Sequence, residues 1–393
     1  MKIVYTYCQF TRSAGTERII IDKMNYFAEK CGYEVYAVTN QQGNHPFVFP
    51  LSPKVKRIDL DVRFCDIYRC NRFVRLFKWF SLERLYSKKF DALMSDLAPD
   101  IVISLTYHSY IFKAIANCKL SFCKLLESHI DRRYIHDKDP INRQNPFKWI
   151  HAIYDMTHLN HCSRKFDLVV ALNNSDAKEW SRYLKAMVIP DVVHLNPTGH
   201  LCDKESKRII FVGRLTEQKG IHDLLKIWEL IYKKHSDWSL DIYGDGELHE
   251  EIVDEAKRLD MNICVHEPCD HIFECYCKSA LLVLTSKYEP FGLVMPEAMS
   301  CGLPVVAFDC PSGPAAIITD GQDGYLIKNR DIVQFAEKVC YLIESPNIRI
   351  KMGENGVASS RRFSAEQVMP QWESLFRQLV VSKNPKYTDR IKE

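Results

Sequence analysis

Arg208-Ile-Ile-Phe-Val-Gly213-Arg214-Leu215-Thr216-Glu217-Gln218-Lys219-Gly220 runs from a β-branched apolar segment into a turn carrying two cations five positions apart, and ends on a glycine that opens a helix-length stretch. A short apolar run followed by a turn and a helical pattern reads as a βα unit. In open α/β sheets ligands bind beyond the carboxyl ends of the strands, so the turn is where chemistry is expected. Glycine lets a backbone come close, a helix start favours anions, and Arg214 and Lys219 supply charge-assisted hydrogen bonds. The segment fits a diphosphate clamp. Taken alone, an ordinary βα loop with surface cations describes it better, and context must decide.

The same rhythm extends in both directions. Downstream, strand-like runs recur at Ser239–Tyr243, Asn262–Val265, Leu281–Thr285, Pro304–Phe308 and Gly324–Ile327. Upstream, Ile3–Cys8, a small-residue turn at Ser13-Ala14-Gly15, a helical stretch from Glu17 to Cys31 and a strand at Glu34–Thr39 form a βαβ unit. Runs at 100–106, 123–128 and 167–172 continue it. Such alternation predicts an α/β protein with two Rossmann-like, doubly wound parallel sheets. The polar, breaker-rich stretch after Ile189-Pro190 separates them. We expect an N-terminal domain over 1–190, a linker over 191–207, a second domain over 208–363, and a C-terminal helical segment over 364–393, where Val368, Trp372, Leu375 and Leu379 recur at helical spacing.

Composition agrees with this organisation. A chain of 393 residues has room for two or three domains. With 46% hydrophobic and 26% charged residues it reads as a soluble folded protein. A net charge of only +3 gives no global field that demands nucleic acid as partner. The 15 cysteines are scattered singly through a long chain, which suggests reduced thiols and a cytoplasmic protein. The opening Met-Lys-Ile-Val-Tyr-Thr-Tyr reads as a first strand rather than a leader, and no apolar run approaches spanning length.

A second loop pairs carboxylates. After the strand near Thr285 comes Glu289-Pro-Phe-Gly-Leu-Val-Met-Pro-Glu297, with its acids eight positions apart. Paired acids suit a retaining hydrolase, or two carboxylates that each accept hydrogen bonds from a vicinal diol. An acidic loop followed by a helix-start Glu is also compatible. Taken in register, Gly213-Arg214-Leu215 with Lys219-Gly220, Tyr243-Gly244-Asp245-Gly246, Glu289 to Glu297, Gly313-Pro314 and Asp323-Gly324 resemble the retaining GT-B glycosyltransferases of family 4, the group 1 glycosyl transferases. The second half carries the resemblance nearly throughout, and the first half more loosely, through Ala14-Gly15-Thr16-Glu17-Arg18 and Glu127-Ser128-His129.

The resemblance implies a nucleotide-sugar donor on the C-terminal half, a glycan or lipid-linked glycan acceptor on the N-terminal half, and catalysis in a cleft between them. It implies that Arg214 and Lys219 grip the diphosphate, Glu289 the sugar hydroxyls and Glu297 the ribose. Gly213 and the amides of Phe291, Gly292 and Leu293 would lie near sugar and phosphate, Gly15 near the diphosphate, and His129 beside the transferred sugar. A lone His satisfied at a strand end is the competing description of His129. Family members retain anomeric configuration, with the leaving phosphate taking the acceptor's proton, so neither a protein nucleophile nor a cofactor is implied. Family frequency tilts the donor toward UDP over GDP. Ala14, Asp191 and Ala316 depart from the family pattern, Ala316 standing where an acid often follows Gly-Pro.

Rival signals are weaker. Asp59-Leu60-Asp61 spells a metal-binding Asp-x-Asp in three letters, and we expect no metal there. His266, Cys269, His271, Cys275 and Cys277 offer zinc-type ligands, but at a spacing that matches no familiar finger. A nicotinamide dehydrogenase is disfavoured because Gly244-Asp245-Gly246 lacks its third glycine. A protein that holds nucleotide sugar without transferring it remains the alternative. Finally, eight cations face two acids between Arg63 and Lys89, interleaved with Phe73, Leu76, Phe77 and Phe80 at helical spacing. This basic amphipathic stretch fits attraction to an anionic membrane surface, or a stripe packed on the sheet with a solvated basic face.

Overall fold

The computed structural model describes residues 1–11, 14–69, 71–106, 108–135 and 157–383. The chain divides into two compact units, one formed by Met1–Ile189 with Met369–Glu393, the other by Pro190–Val368. Each is built on a wholly parallel sheet, which is what strands alternating with helices require.

The first unit contains seven strands in the order β3-β2-β1-β4-β5-β6-β7. They are β1 (Lys2–Thr6), β2 (Glu34–Thr39), β3 (Lys56–Asp59), β4 (Ile101–Leu105), β5 (Cys123–Ser128), β6 (Leu168–Ala171) and β7 (Ala186–Val188). β4 is buried at every position, and apolar at all but Ser104, because helices cover both faces of a parallel sheet. The edge strand β3, Lys-Arg-Ile-Asp, is half exposed and polar, so it carries no apolar signal. Helix α1 (Gly15–Glu29) buries Ile19, Ile20, Met24 and Phe27, and Lys23 with them. Helix α2 (Arg72–Leu97) is capped by Asn71, whose side chain accepts from the Val74 amide. Its C-terminal half packs Tyr86, Phe90 and Met94 into the core.

The second unit contains six strands in the order β10-β9-β8-β11-β12-β13: β8 (Arg208–Val212), β9 (Ser239–Tyr243), β10 (Ile263–His266), β11 (Leu281–Leu284), β12 (Val305–Asp309) and β13 (Gly324–Lys328). Its core joins Phe211, Leu240, Val283 and Phe308 on the sheet to Leu224 and Trp228 of one helix and Phe335 of another. The Trp228 indole is fully paid for in hydrogen bonding, since it donates to the Met261 carbonyl at 2.7 Å.

The helix over Ala365–Lys383 ends in the first unit. Phe376 packs on Phe27 with ring centroids 4.9 Å apart, a pair worth about 0.5–1.5 kcal/mol beyond burial. Tyr26 donates to Glu373 at 3.0 Å, and Lys383 reaches Asp167 at 2.6 Å. Among the described residues, no helix is long and apolar enough to cross a membrane.

Candidate functional site

In both sheets the strand order reverses once, between β1 and β4 and between β8 and β11. Chain connections leave in opposite directions at such a point, and the loops beyond the paired strand ends are left open for a ligand. In the second unit these are the loop after β8, with Arg214 and Lys219, and the loop after β11, with Glu289. They meet. Lys219 Nζ lies 2.5 Å from Glu289 Oε2, and Ser286 donates to the same oxygen at 3.0 Å. Both charged side chains are largely withdrawn from solvent, at 12% and 8% exposure.

Local backbone chemistry aims this pair. A tight turn over Glu217–Lys219 leads into Gly220, which adopts φ 65° before the helix over Ile221–Tyr232. A Cβ at Gly220 would lie 2.1 Å from the Thr285 carbonyl oxygen, so the position needs glycine for both conformation and space. The Thr285 hydroxyl donates to the Lys219 carbonyl at 3.0 Å, and the Lys287 amide to the Gln218 carbonyl at 2.7 Å. The two loops are thereby stitched by backbone, not by the charged pair alone. Gly292, at φ 94°, backs Glu289 so closely that a Cβ would come within 2.9 Å of its Cγ.

Arg214 is exposed and donates to Gln218 Oε1 at 3.2 Å, while Gln218 donates to the Tyr288 carbonyl at 3.2 Å. The Gly213 amide is tied to the Tyr243 carbonyl at 3.0 Å. Phe291 is buried against Phe363, with centroids 5.3 Å apart, and Leu293 precedes the helix over Val294–Ser300. Glu297 stands in that helix and accepts from the Tyr276 hydroxyl at 3.3 Å. Burial, with Glu297 beside it, pushes the Tyr276 phenol far above its ordinary range, so it stays a donor. Arg214, Lys219 and Glu289 are thus linked in one loop pair, and Glu297 is held separately by its own helix.

Arg330, which the sequence does not single out, underpins both loops. It donates to the carbonyls of Thr285 and Ser286 at 2.7 and 2.8 Å, pairs with Asp223 at 2.6 Å, and lies 4.2 Å over the Phe308 ring. It follows β13, far along the chain from the loops it holds, and no local pattern marks it.

In the first unit, Gly15 begins α1 immediately after the extended Ala14. His129 follows β5 and is buried, with Nε2 3.0 Å from Glu127 Oε2. The same oxygen accepts from Lys23, which comes from the buried face of α1 and lies 4.2 Å from the Trp372 ring centroid. Burial pushes the Glu127 carboxyl up, but Lys23 and His129 outweigh it and hold the group below the usual carboxylate range. His129 thus shares the Glu127 carboxylate with Lys23 at the end of β5. Lys23, a cation on the apolar side of α1, was the available signal for that network.

The weaker motifs resolve differently. Asp59 accepts from the Gly43 amide at 2.6 Å and Asp61 pairs with Arg63 at 2.8 Å, so each carboxylate has a partner within the protein. Of the His266-to-Cys277 group, Cys269 and Cys275 approach to 3.7 Å, whereas Cys277 donates to the His200 carbonyl.

Residues 196–358 match the family described as Glycosyl transferases group 1. The match covers most of the second unit. An uncharacterized glycosyltransferase of Haemophilus influenzae is 26% identical over 382 residues, covering 95% of this chain and 99% of that one. The amylovoran biosynthesis glycosyltransferase AmsD of Erwinia amylovora is 33% identical over 183 residues, 46% of this chain and 51% of its own. Among solved structures, a TarM variant of S. aureus in complex with Fondaparinux, alpha-GlcNAc-glycerol and UDP superposes with a TM-score of 0.75 at 16% identity, covering 96% of this chain and all of that one. This full-length likeness shows the GT-B fold that the resemblance implied.

Proposed function

We propose that this chain is a retaining, metal-independent glycosyltransferase that moves a sugar from a nucleotide-sugar donor to a glycan or lipid-linked glycan acceptor in cell-surface polysaccharide or glycoconjugate synthesis. The observation that carries the reading is the Lys219–Glu289 pair at the strand-order reversal, with Arg214 beside it. As the bond from the anomeric carbon to the diphosphate breaks, the electron pair leaves with the nucleoside diphosphate. Arg214 and Lys219 offset that charge. Glu289, positioned by Lys219 and Ser286, accepts from sugar hydroxyls, and Glu297 accepts from the ribose. Gly213 and the Phe291–Leu293 amides line sugar and phosphate, while Gly15 and His129 contribute from the first unit. The acceptor oxygen attacks from the face the leaving group departs, and its proton passes to the departing phosphate. UDP is the favoured nucleotide, in keeping with the UDP in the TarM complex.

The test is nucleotide release from UDP- and GDP-sugars with and without a glycan acceptor. Acceptor-dependent release supports transfer; binding without release identifies a carrier instead. Glu297→Gln is expected to weaken bare nucleoside diphosphate by roughly tenfold, the scale of one charge-assisted hydrogen bond. Glu289→Gln should leave that affinity near wild type and lower turnover. Calorimetry showing equal losses of bare nucleotide would overturn this division.

A peripheral position on the cytoplasmic membrane face belongs to the same reading. Along the N-terminal half of α2, Phe77 is 77% exposed and Phe80 is 50% exposed, with Lys78 and Arg84 exposed among them. Part of the aromatic stripe therefore faces solvent rather than the sheet. Each cation near an anionic surface contributes about 1 kcal/mol. Vesicles rich in anionic lipid should sediment the protein at low salt and release it at high salt. Lys78→Glu with Arg84→Glu should reduce binding; equal binding to neutral vesicles would remove the membrane role and leave the transferase reading intact.

A further inference from the structure

Asp241 stands in the middle of β9, between Leu240 and Ile242, whose side chains enter the core. Strand alternation turns it to the opposite face. Its register partner on the edge strand β10 is Cys264, and two residues on His266 returns to the same face. One ligand atom from each residue, a carboxylate oxygen, a thiol sulfur and an imidazole nitrogen, lies within 4.8 Å of the other two. His266 Nε2 is 2.9 Å from Asp241 Oδ1, and Arg208 Nη1 is 3.6 Å from Oδ2. The His266 ring stacks on Tyr243, with centroids 4.4 Å apart and planes at 15°.

This arrangement is costly for a plain sheet. Aspartate is disfavoured inside strands, and the Asp241 side chain is only 5% exposed. A buried carboxylate requires compensation. Here it comes from His266 on β10 and Arg208 on β8, and Cys264 beside them completes a mixed S, N, O donor set. Such a set suits borderline-soft cations and is unlike the all-oxygen cages of magnesium or calcium.

We propose that Asp241, Cys264 and His266 bind a zinc-class divalent cation, with three protein ligands and a fourth position open to water. Bond lengths of about 2.0–2.3 Å fit inside the observed triangle once the exposed Cys264 side chain rotates inward. Binding releases the Cys264 thiol proton and takes the imidazole through a nitrogen that carries no proton. Arg208 remains on the second Asp241 oxygen, and Tyr243 holds the imidazole plane, the roles outer groups play at metal centres. None of Arg214, Lys219, Glu289 and Glu297 is among its three ligands.

The experiment is titration of the reduced, untagged full chain with Co²⁺ and Zn²⁺. One equivalent should bind, cobalt should show thiolate charge-transfer absorption, and zinc should raise the melting temperature. Cys264→Ser should abolish the charge-transfer band. His266→Gln and Asp241→Asn should each weaken zinc by roughly tenfold or more. Cys269→Ser with Cys275→Ser should change neither, which separates this site from the neighbouring thiol pair. Metal-free melting of each variant checks folding. The proposal fails if no equivalent binds, if the band survives Cys264→Ser, if it disappears in the Cys269/Cys275 variant, or if His266→Gln or Asp241→Asn leaves affinity unchanged.

Discussion

Lys219→Ala is expected to lower kcat/KM for sugar transfer by about 10² or more, the loss that follows deletion of one preorganised donor facing developing negative charge. Arg214→Ala should lose a similar amount, and the two variants should differ in stability. Arg214 is exposed and bonded to Gln218, so its removal should leave the melting temperature unchanged. Lys219 neutralises a carboxylate that is 8% exposed. Without it Glu289 retains the Ser286 hydroxyl but lacks its counter-charge, at a cost of roughly 1–3 kcal/mol. At about 2–4 °C per kcal/mol for a unit of this size, Lys219→Ala should melt several degrees lower. Acceptor-dependent nucleotide release and calorimetry check both halves. Near-wild-type transfer in both variants would sink the clamp.

Glu127→Ala should destabilise the first unit by about 3–5 kcal/mol, because it leaves the Lys23 ammonium buried without its partner. Replacing the pair together, Lys23→Met with Glu127→Leu, should recover most of that loss, since burying two apolar groups removes both desolvation penalties. Urea unfolding followed by hydrogen exchange of β1 and β5 amides reads the difference. The pH dependence has a definite sign. Glu127 is held below the usual carboxylate range, so its contribution is complete above the unfolded-state value and fades as pH falls through the folded one. A Glu127→Ala variant that unfolds like wild type at neutral pH would contradict the buried ion pair.

Much of this protein was legible from local pattern. Buried parallel strands read as short apolar runs, as β4 and β11 do, because both of their faces meet helices. The Gly213–Gly220 and Glu289–Glu297 segments were legible because a loop that brings backbone, cations and carboxylates to one place needs particular residue types at particular spacings. β3 was not, since an edge strand half in water has no apolar code.

What sequence alone determined was the α/β class, the two-sheet organisation and the identity of the chemically equipped loops, all set by interactions between residues near in the chain. Tertiary structure alone decided which distant groups meet. It placed Arg330 under the Thr285 and Ser286 carbonyls, Lys23 against Glu127, Asp241 beside Cys264 and His266, and the end of the last helix on Phe27. It also left Phe77 in solvent although its spacing alone fitted a packed stripe. The physical reason is that periodicity records which face of an element is apolar, whereas strand order and helix docking decide what that face, or a polar residue upon it, will touch.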